Sequence, residues 1–112
     1  MHILLSFDIE EFDLPLEYGK NISESEQLEV GKRGLDAIMP IISAADVHCT
    51  MYTTAFFASQ YPEIMREISE KHEIASHAFY HATFEQQHLL SSKLKLEEII
   101  QKKITLYDYE LF

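Results

Sequence analysis

The sequence predicts an α/β fold with a parallel sheet, built from βαβαβα units. Three observations support this prediction. Short apolar runs alternate along the chain with longer segments of helical periodicity. The first run, residues 2–7, is almost continuously apolar, which is typical of a strand buried on both faces of a parallel sheet. The most reactive polar residues follow such runs, at the edge where parallel sheets collect active groups: Asp8, Glu10, His77 and His81.

The first half of the chain predicts one strand, one loop and one long helix. Residues 10–24 are acidic and contain turn formers, which predicts a loop after the first strand. Ser23 followed by Glu26 predicts a capping box at the start of the helix. Pro40 lies inside the helical pattern and predicts a kink or a bend. The buried stripe of this helix has four members at helical spacing: Leu35, Ile38, Met39 and Ile42.

The second half continues the alternation of strands and helices. Residues 47–57 are rich in threonine and aromatic side chains and predict a second strand. Pro62 fits the first turn of the next helix, and residues 73–76 predict a third, short strand. A last helix is expected over 92–103, and the alternating tail 104–112 could form a fourth strand. Three residues of that last helix are expected to face inward: Leu94, Leu96 and Ile99.

Composition excludes several classes of protein. The chain has 112 residues, the size of one domain or a piece of one, and a formal charge of −10. Such a negative field repels phosphate backbones, so nucleic-acid binding is not expected. The single cysteine, Cys49, rules out an internal disulfide and indicates a small buried apolar side chain. The sequence shows neither a signal peptide nor a membrane span, so we expect a cytoplasmic protein of bacterial type.

The candidate site combines a histidine pair with an acidic cluster. On a helical or tightly turning backbone, His77 and His81 share a face and can ligate one divalent ion. A third ligand could come from the acidic stretch of residues 8–11, where Asp8 directly follows the first strand. Taken singly, each group has an ordinary explanation as a solvated loop or a packed histidine. Together they indicate a metal site, because a carboxylate near a buried strand is costly unless it is paired or bound to metal.

At these residues the chain resembles the N-terminal part of the polysaccharide deacetylase family, also called the NodB-homology domain or carbohydrate esterase family four. Three blocks carry the resemblance, in the family's order, over residues 3–85. Residues 6–10, Ser-Phe-Asp-Ile-Glu, are similar to the family's Thr-Phe-Asp-Asp-Gly in an Asp-x-Glu form. Residues 34–40 and 47–52 are similar to its helix and its Val-x-Ala-Thr-Phe-Phe strand. Residues 72–81 are similar to Gly-His-Glu-Ile-Gly-Ser-His-Ser-x-x-His.

The resemblance implies a role for each residue of the candidate site. His77 and His81 match the family's metal ligands, and Asp8 matches its general base. Ile9 stands where the family has a second aspartate, so the third ligand is assigned to Glu10, with Glu11 as the fallback. Zinc is the expected metal, with cobalt, nickel or iron as alternatives. The implied reaction is hydrolytic N-deacetylation of an N-acetylated sugar or polysaccharide, which breaks an amide C–N bond.

The chain also departs from the family pattern. Ala78 replaces a serine or threonine, no arginine follows Arg66, and there is no tryptophan. The resemblance therefore implies a single partial domain over 1–112, part of a distorted (β/α) barrel, with a tail at 86–112 that leaves the family pattern. We expect such a chain to be weakly active or inactive alone. We also expect it to form homo-oligomers through the uncovered face of the half-barrel.

Two other classes of protein fit parts of the sequence. A non-catalytic metal- or carbohydrate-binding module would bind the metal tightly without turnover. A receiver-like signalling domain would also have about this size and an acidic pocket after its first strand. The receiver needs an aspartate at the end of a middle strand, but the predicted second and third strands end in Ala55-Phe56-Phe57 and Ser76-His77.

Overall fold

The sheet has three parallel strands in the order β1-β2-β3 in the computed structural model, which describes residues 4–105. The strands are β1 (Ser6–Ile9), β2 (Thr50–Thr53) and β3 (Glu73–Ser76). Ile9 pairs with Thr53, and Thr53 pairs with Ser76, so the three strands end at the same level. The parallel α/β fold predicted from the sequence is confirmed, and it forms part of a (β/α) barrel.

The connecting segments contain five helices: α1 (Leu14–Glu17), α2 (Glu24–Ala45), α3 (Ala55–Gln60), α4 (Pro62–Ser69) and α5 (Gln87–Ile100). The predicted N-terminus of α2 is confirmed, because the Ser23 hydroxyl accepts a hydrogen bond of 3.1 Å from the Glu26 N–H. Pro62 opens α4 as predicted. Pro40 does not end α2, which continues to Ala45. Among the described residues, no helix combines the length and apolar character that crossing a membrane requires.

Three predictions about local structure were wrong. The second strand ends at Thr53 instead of Phe57, because the Thr54 hydroxyl accepts from the Phe57 N–H and caps α3. The acidic loop contains the one-turn helix α1. The first strand is not buried on both faces: it lies at an edge of the described sheet, and 47% of the Asp8 side chain is exposed.

The last helix begins earlier in the sequence than predicted, and a different set of its residues faces the core. It begins at Gln87, and Leu94 is 54% exposed whereas Leu96 is fully buried. Ile99 is buried, as predicted. Leu94 lies two residues before Leu96, about 200° away around a helix, so both cannot face the core. Of the predicted fourth strand, residues 106–112 lie outside the described part of the chain, and Ile104 is buried but belongs to no strand.

The core lies between the sheet and the helices. Its fully buried large side chains come from β2, three of the helices and the segment after α5: Met51, Phe57, Met65, Leu96 and Ile104. Leu35 and Ile42 of α2 are buried as predicted, and Cys49 is a buried core residue. Burying such large apolar side chains stabilises the fold by roughly 1.5–3 kcal/mol each. This core fixes the strand ends that carry the candidate site.

Candidate metal centre

The register of the sheet places the polar residues of the site in one row. Ile9, Thr53 and Ser76 are aligned partners at the last positions of their strands. The next residue along each strand is therefore at the carboxyl edge of the sheet: Glu10, Thr54 and His77. Parallel α/β folds collect their active groups at this edge.

Two histidine side chains converge there on one carboxylate oxygen of Glu10. Glu10 Oε2 lies 3.2 Å from His77 Nε2 and 2.8 Å from His81 Nε2. One ligand atom from each residue lies within 4.8 Å of the other two, close enough to share a cation. Two imidazole nitrogens and a carboxylate oxygen are a donor set typical of zinc and neighbouring transition metals. The residues present therefore fit a divalent metal.

The two histidines are brought together by a loop instead of a helix. Residues 77–81 follow β3 without helical structure, and Ala78 has a positive φ of 63°. The first turn of α3 holds this loop: the Ala55 N–H donates to the Ala78 carbonyl at 3.1 Å, and the Phe56 N–H donates to the Phe79 carbonyl at 2.9 Å. N–H groups in the first turn of a helix lack partners within the helix, so they are free to bind a loop. The spacing predicted that His77 and His81 share a face on a helical or tightly turning backbone, and in the structure a tight loop brings the two side chains together.

Glu11 is buried beneath the loop and already has two donors. The Thr54 hydroxyl donates to Glu11 Oε1 at 2.7 Å, and the His81 N–H donates to Glu11 Oε2 at 3.2 Å. Only 4% of Glu11 is exposed. Glu10 presents an oxygen to both histidine side chains, whereas Glu11 holds the backbone of the loop. Of these two glutamates, Glu10 is the one whose carboxylate could share a cation with both histidines.

Asp13 is a site residue that sequence reasoning missed. His81 Nδ1 lies 2.7 Å from Asp13 Oδ1 and 2.8 Å from Asp13 Oδ2, on the side of the ring opposite to Glu10. Asp13 is only 6% exposed, although it lies in the acidic stretch 10–24 that the sequence predicted to be a loop. The alternation of Glu11 and Asp13 after a strand was the available signal, but nothing local distinguishes such a pair from exposed acids.

Asp8 stands at the open side of the site. Its Oδ2 lies 4.0 Å from His77 Nε2. A cavity of about 510 Å³ opens beside it, lined by Asp8, Glu10 and His81 and by apolar residues of β1 and α2. Asp8 is thus near the candidate ligands and accessible from solvent, which a group that exchanges protons with a substrate requires.

The charged groups of the site shift one another's pKa values. Burial alone would raise the pKa of Glu10, but hydrogen bonds from His77 and His81 lower that pKa to about 2. The hydrogen bond to Glu10 is the largest cause that raises the pKa of His81 to about 9, and Asp13 adds to it. In the metal-free protein at neutral pH, His81 is therefore an imidazolium paired with ionised Glu10. A cation that binds Nε2 of His81 has to displace this proton.

Helix α2 approaches the backbone of the site closely at Gly31. A Cβ atom at Gly31 would collide with the carbonyl oxygen of Glu10 and would lie 3.1 Å from Cε2 of Phe57. One helical turn later, Gly34 has no neighbour within 4 Å of the equivalent position. Gly31 therefore permits the close contact between α2 and Glu10, and Gly34 does not have this role.

Fold and site together define a parallel α/β domain with a metal-type cluster at the carboxyl edge of its sheet. The polysaccharide deacetylase family model matches residues 3–109, and the chain belongs to this family. No curated protein matches the chain.

Solved structures share the fold at low sequence identity. PuuE allantoinase has a TM-score of 0.74 and 20% identity, with 96% of this chain and 45% of that chain covered. A Mycobacterium smegmatis protein, provisionally described as a polysaccharide deacetylase, has a TM-score of 0.70 and 21% identity, covering 93% and 41%. A family 4 acetyl xylan esterase from Clostridium thermocellum, in complex with a cobalt ion, has a TM-score of 0.61 and 11% identity, covering 93% and 46%. The chain thus spans less than half the length of these structures.

Proposed function

We propose that this chain holds the metal of a deacetylase site that hydrolyses the amide bond of an N-acetylated sugar. The observation that carries the proposal is the convergence of His77 Nε2 and His81 Nε2 on Glu10 Oε2, at 3.2 and 2.8 Å. Family membership supplies the class of reaction. Glu10, His77 and His81 are the proposed ligands, and Asp8 is the proposed catalytic base.

The proposed reaction adds water to the acetamide carbonyl carbon and breaks the C–N bond, giving acetate and an amine. A bound divalent metal would supply Lewis acidity, which polarises the carbonyl and lowers the pKa of water. Asp8 would accept a proton from the attacking water through its exposed carboxylate. Glu11 would hold the backbone at His81 while the substrate enters from the cavity beside Asp8.

Zinc is the proposed metal, since it prefers few nitrogen and oxygen ligands in a tetrahedral arrangement. Cobalt, nickel and iron suit the same donor set. The acetyl xylan esterase that shares this fold was solved with cobalt, which keeps that metal among the candidates.

Metal titration tests the proposal. Calorimetry with Zn²⁺ on the chelator-stripped chain is expected to show one tight site, and the double variant His77→Ala/His81→Ala is expected to lose it because two of three ligands are gone. A matched control replaces His48, an exposed histidine in the loop before β2, with alanine and should leave the affinity unchanged. Weak or multiple binding in the unmodified chain, or equal affinity in the double variant, would contradict the proposed site.

The same titration should depend on pH in a defined direction. The pKa of His81 is raised to about 9, so protons compete with the metal for Nε2 at all lower pH values. Zinc affinity should therefore rise as the pH increases from 6 towards about 9. Titration in buffers of different ionisation enthalpy should show about one proton released per metal near pH 7. Affinity that falls over this pH range would contradict the assignment of His81.

The 112-residue chain by itself is expected to be a poor catalyst. We propose that it is a single partial domain, that it is cytoplasmic, and that it deacetylates weakly or not at all without further residues to protonate the leaving amine. Turnover of N-acetylated chito-oligosaccharide by the purified chain, lost on Asp8→Ala, would overturn the expected weakness.

We also propose self-association, because β1 lies at an edge of the described sheet and Leu5 beside it is 41% exposed. Light scattering that finds only monomers at high concentration would contradict it.

A non-catalytic binding module remains the alternative function. Its support is the same cluster, because a metal site needs no general base to bind metal. Stoichiometric zinc binding without turnover, in a longer protein that contains this domain, would favour the module. The hypothesis of a receiver-like domain has less support. A receiver requires an aspartate after a middle strand, but Thr54 and His77 follow β2 and β3.

A further inference from the structure

We infer that Asp13 is a positioning residue that fixes the ring of His81 so that Nε2 faces the metal. The inference rests on the proposed function, because it assigns a role to Asp13 only if His81 is a ligand. Its evidence is separate from that for the ligands: it comes from the opposite side of the His81 ring and from a residue that belongs to none of the sequence motifs.

The contact between Asp13 and His81 is close and buried. Both carboxylate oxygens lie within hydrogen-bonding distance of Nδ1, at 2.7 and 2.8 Å, so the N–H is held between them. The Asp13 side chain is 7% exposed, whereas that of His81 is 26% exposed. Asp13 stands at the N-cap position of α1, but its side chain makes no capping hydrogen bond there. Its carboxylate therefore serves His81 and not the helix.

This contact determines which ring nitrogen of His81 is available to bind a cation. Nδ1 donates its proton to Asp13, so Nε2 is left as the atom that can bind a cation beside Glu10. Without Asp13, the ring could turn about the Cβ–Cγ bond and present either nitrogen. Carboxylates that accept from the distal nitrogen of a ligating histidine also raise its basicity, and their loss typically costs about 10–100-fold in metal affinity.

The loop that carries His81 is held by contacts other than the one that orients the His81 ring. The His81 N–H donates to Glu11 Oε2, and the loop carbonyls of Ala78 and Phe79 accept from α3. These backbone contacts do not involve Asp13. A change at Asp13 should therefore free the imidazole ring while the loop stays in place.

The test compares Asp13→Ala and Asp13→Asn with Glu17→Gln by calorimetric titration with Zn²⁺. Glu17 lines the same small cavity as Asp13 and His81 but is exposed on α1, so its variant removes a nearby negative charge without the buried contact. We expect Asp13→Ala to lose about 10–100-fold in zinc affinity, Asp13→Asn to lose less, and Glu17→Gln to change little. In the zinc-loaded protein labelled with ¹⁵N-histidine, the slowly exchanging Nδ1 proton of His81 should disappear in Asp13→Ala.

The outcomes are distinguishable. If the unmodified chain fails to bind zinc, the proposed function fails and the inference fails with it. If the unmodified chain binds zinc tightly but Asp13→Ala and Asp13→Asn match Glu17→Gln, only the role of Asp13 is overturned. Should Asp13→Ala not fold, the near-isosteric Asp13→Asn decides: unchanged affinity together with an unchanged Nδ1 resonance overturns the inference.

Discussion

Replacing Gly31 with alanine is expected both to destabilise the protein and to weaken binding at the candidate metal site. The new Cβ would collide with the carbonyl oxygen of Glu10, a backbone atom that cannot rotate away. Either α2 or the segment after β1 has to shift, and overpacking of this kind costs roughly 1–3 kcal/mol. The shift moves Glu10 relative to His77 and His81, so we expect at least a tenfold (~1.4 kcal/mol) loss of zinc affinity. Urea unfolding and calorimetry measure the two effects.

Gly34 provides a matched control in the same helix. A Cβ there meets no atom within 4 Å, so Gly34→Ala should raise the free energy of unfolding by roughly 0.5–1 kcal/mol through helix propensity alone. Zinc affinity should stay unchanged. The two substitutions are chemically identical and lie three residues apart, so opposite signs isolate the contact with Glu10. Equal stabilisation by both would show that α2 does not press on Glu10.

The second large effect is expected when either of the two neighbouring glutamates is replaced by alanine. One substitution should mainly lower stability, and the other should mainly lower zinc affinity. Glu11→Ala removes the acceptor of the Thr54 hydroxyl and of the His81 N–H, and each buried donor left unpaired costs roughly 1–3 kcal/mol. Glu10→Ala should lower stability less, because Glu10 lines an open cavity where water can replace its oxygen. Glu10→Ala should instead remove most of the zinc affinity. Thermal unfolding and zinc titration of both variants give the comparison.

Glu11→Gln is the control for this pair. The amide oxygen keeps one acceptor at nearly the same place, so this variant should lie between the unmodified chain and Glu11→Ala in stability. If Glu11→Ala abolished zinc binding while remaining as stable as the unmodified chain, Glu11 and not Glu10 would be the third ligand.

Local signals predicted the elements that local chemistry determines. Ser23 caps α2 through a residue three positions away, and Pro62 opens α4 through its own fixed backbone angle. The third strand, Glu73–Ser76, was predicted with its observed bounds. The end of the second strand was missed because Thr54 favours a strand by composition, while its hydroxyl is used between Glu11 and the first turn of α3.

The site shows the same division between local and distant causes. The histidine spacing and the acidic stretch at 8–11 were visible in the sequence, and the fold brings them to one edge of the sheet. The separate uses of Glu10, Glu11 and Asp13 were not visible. They depend on partners 43 to 70 residues away in the sequence. A pattern within a short window cannot distinguish three acidic residues that differ only in the distant residues they contact.

The distance along the chain between the two parts of the site has a consequence for folding kinetics. Glu10 and His77 are 67 residues apart, and the loop that carries His81 is held by α3 and by Glu11. Glu10 and His77 can meet only after the long-range strand pairing is complete, so we expect the cluster to form late in folding. An interaction that forms after the transition state slows unfolding and leaves the folding rate nearly unchanged. A bound cation should therefore slow unfolding and extend the lifetime of the folded domain, without accelerating folding.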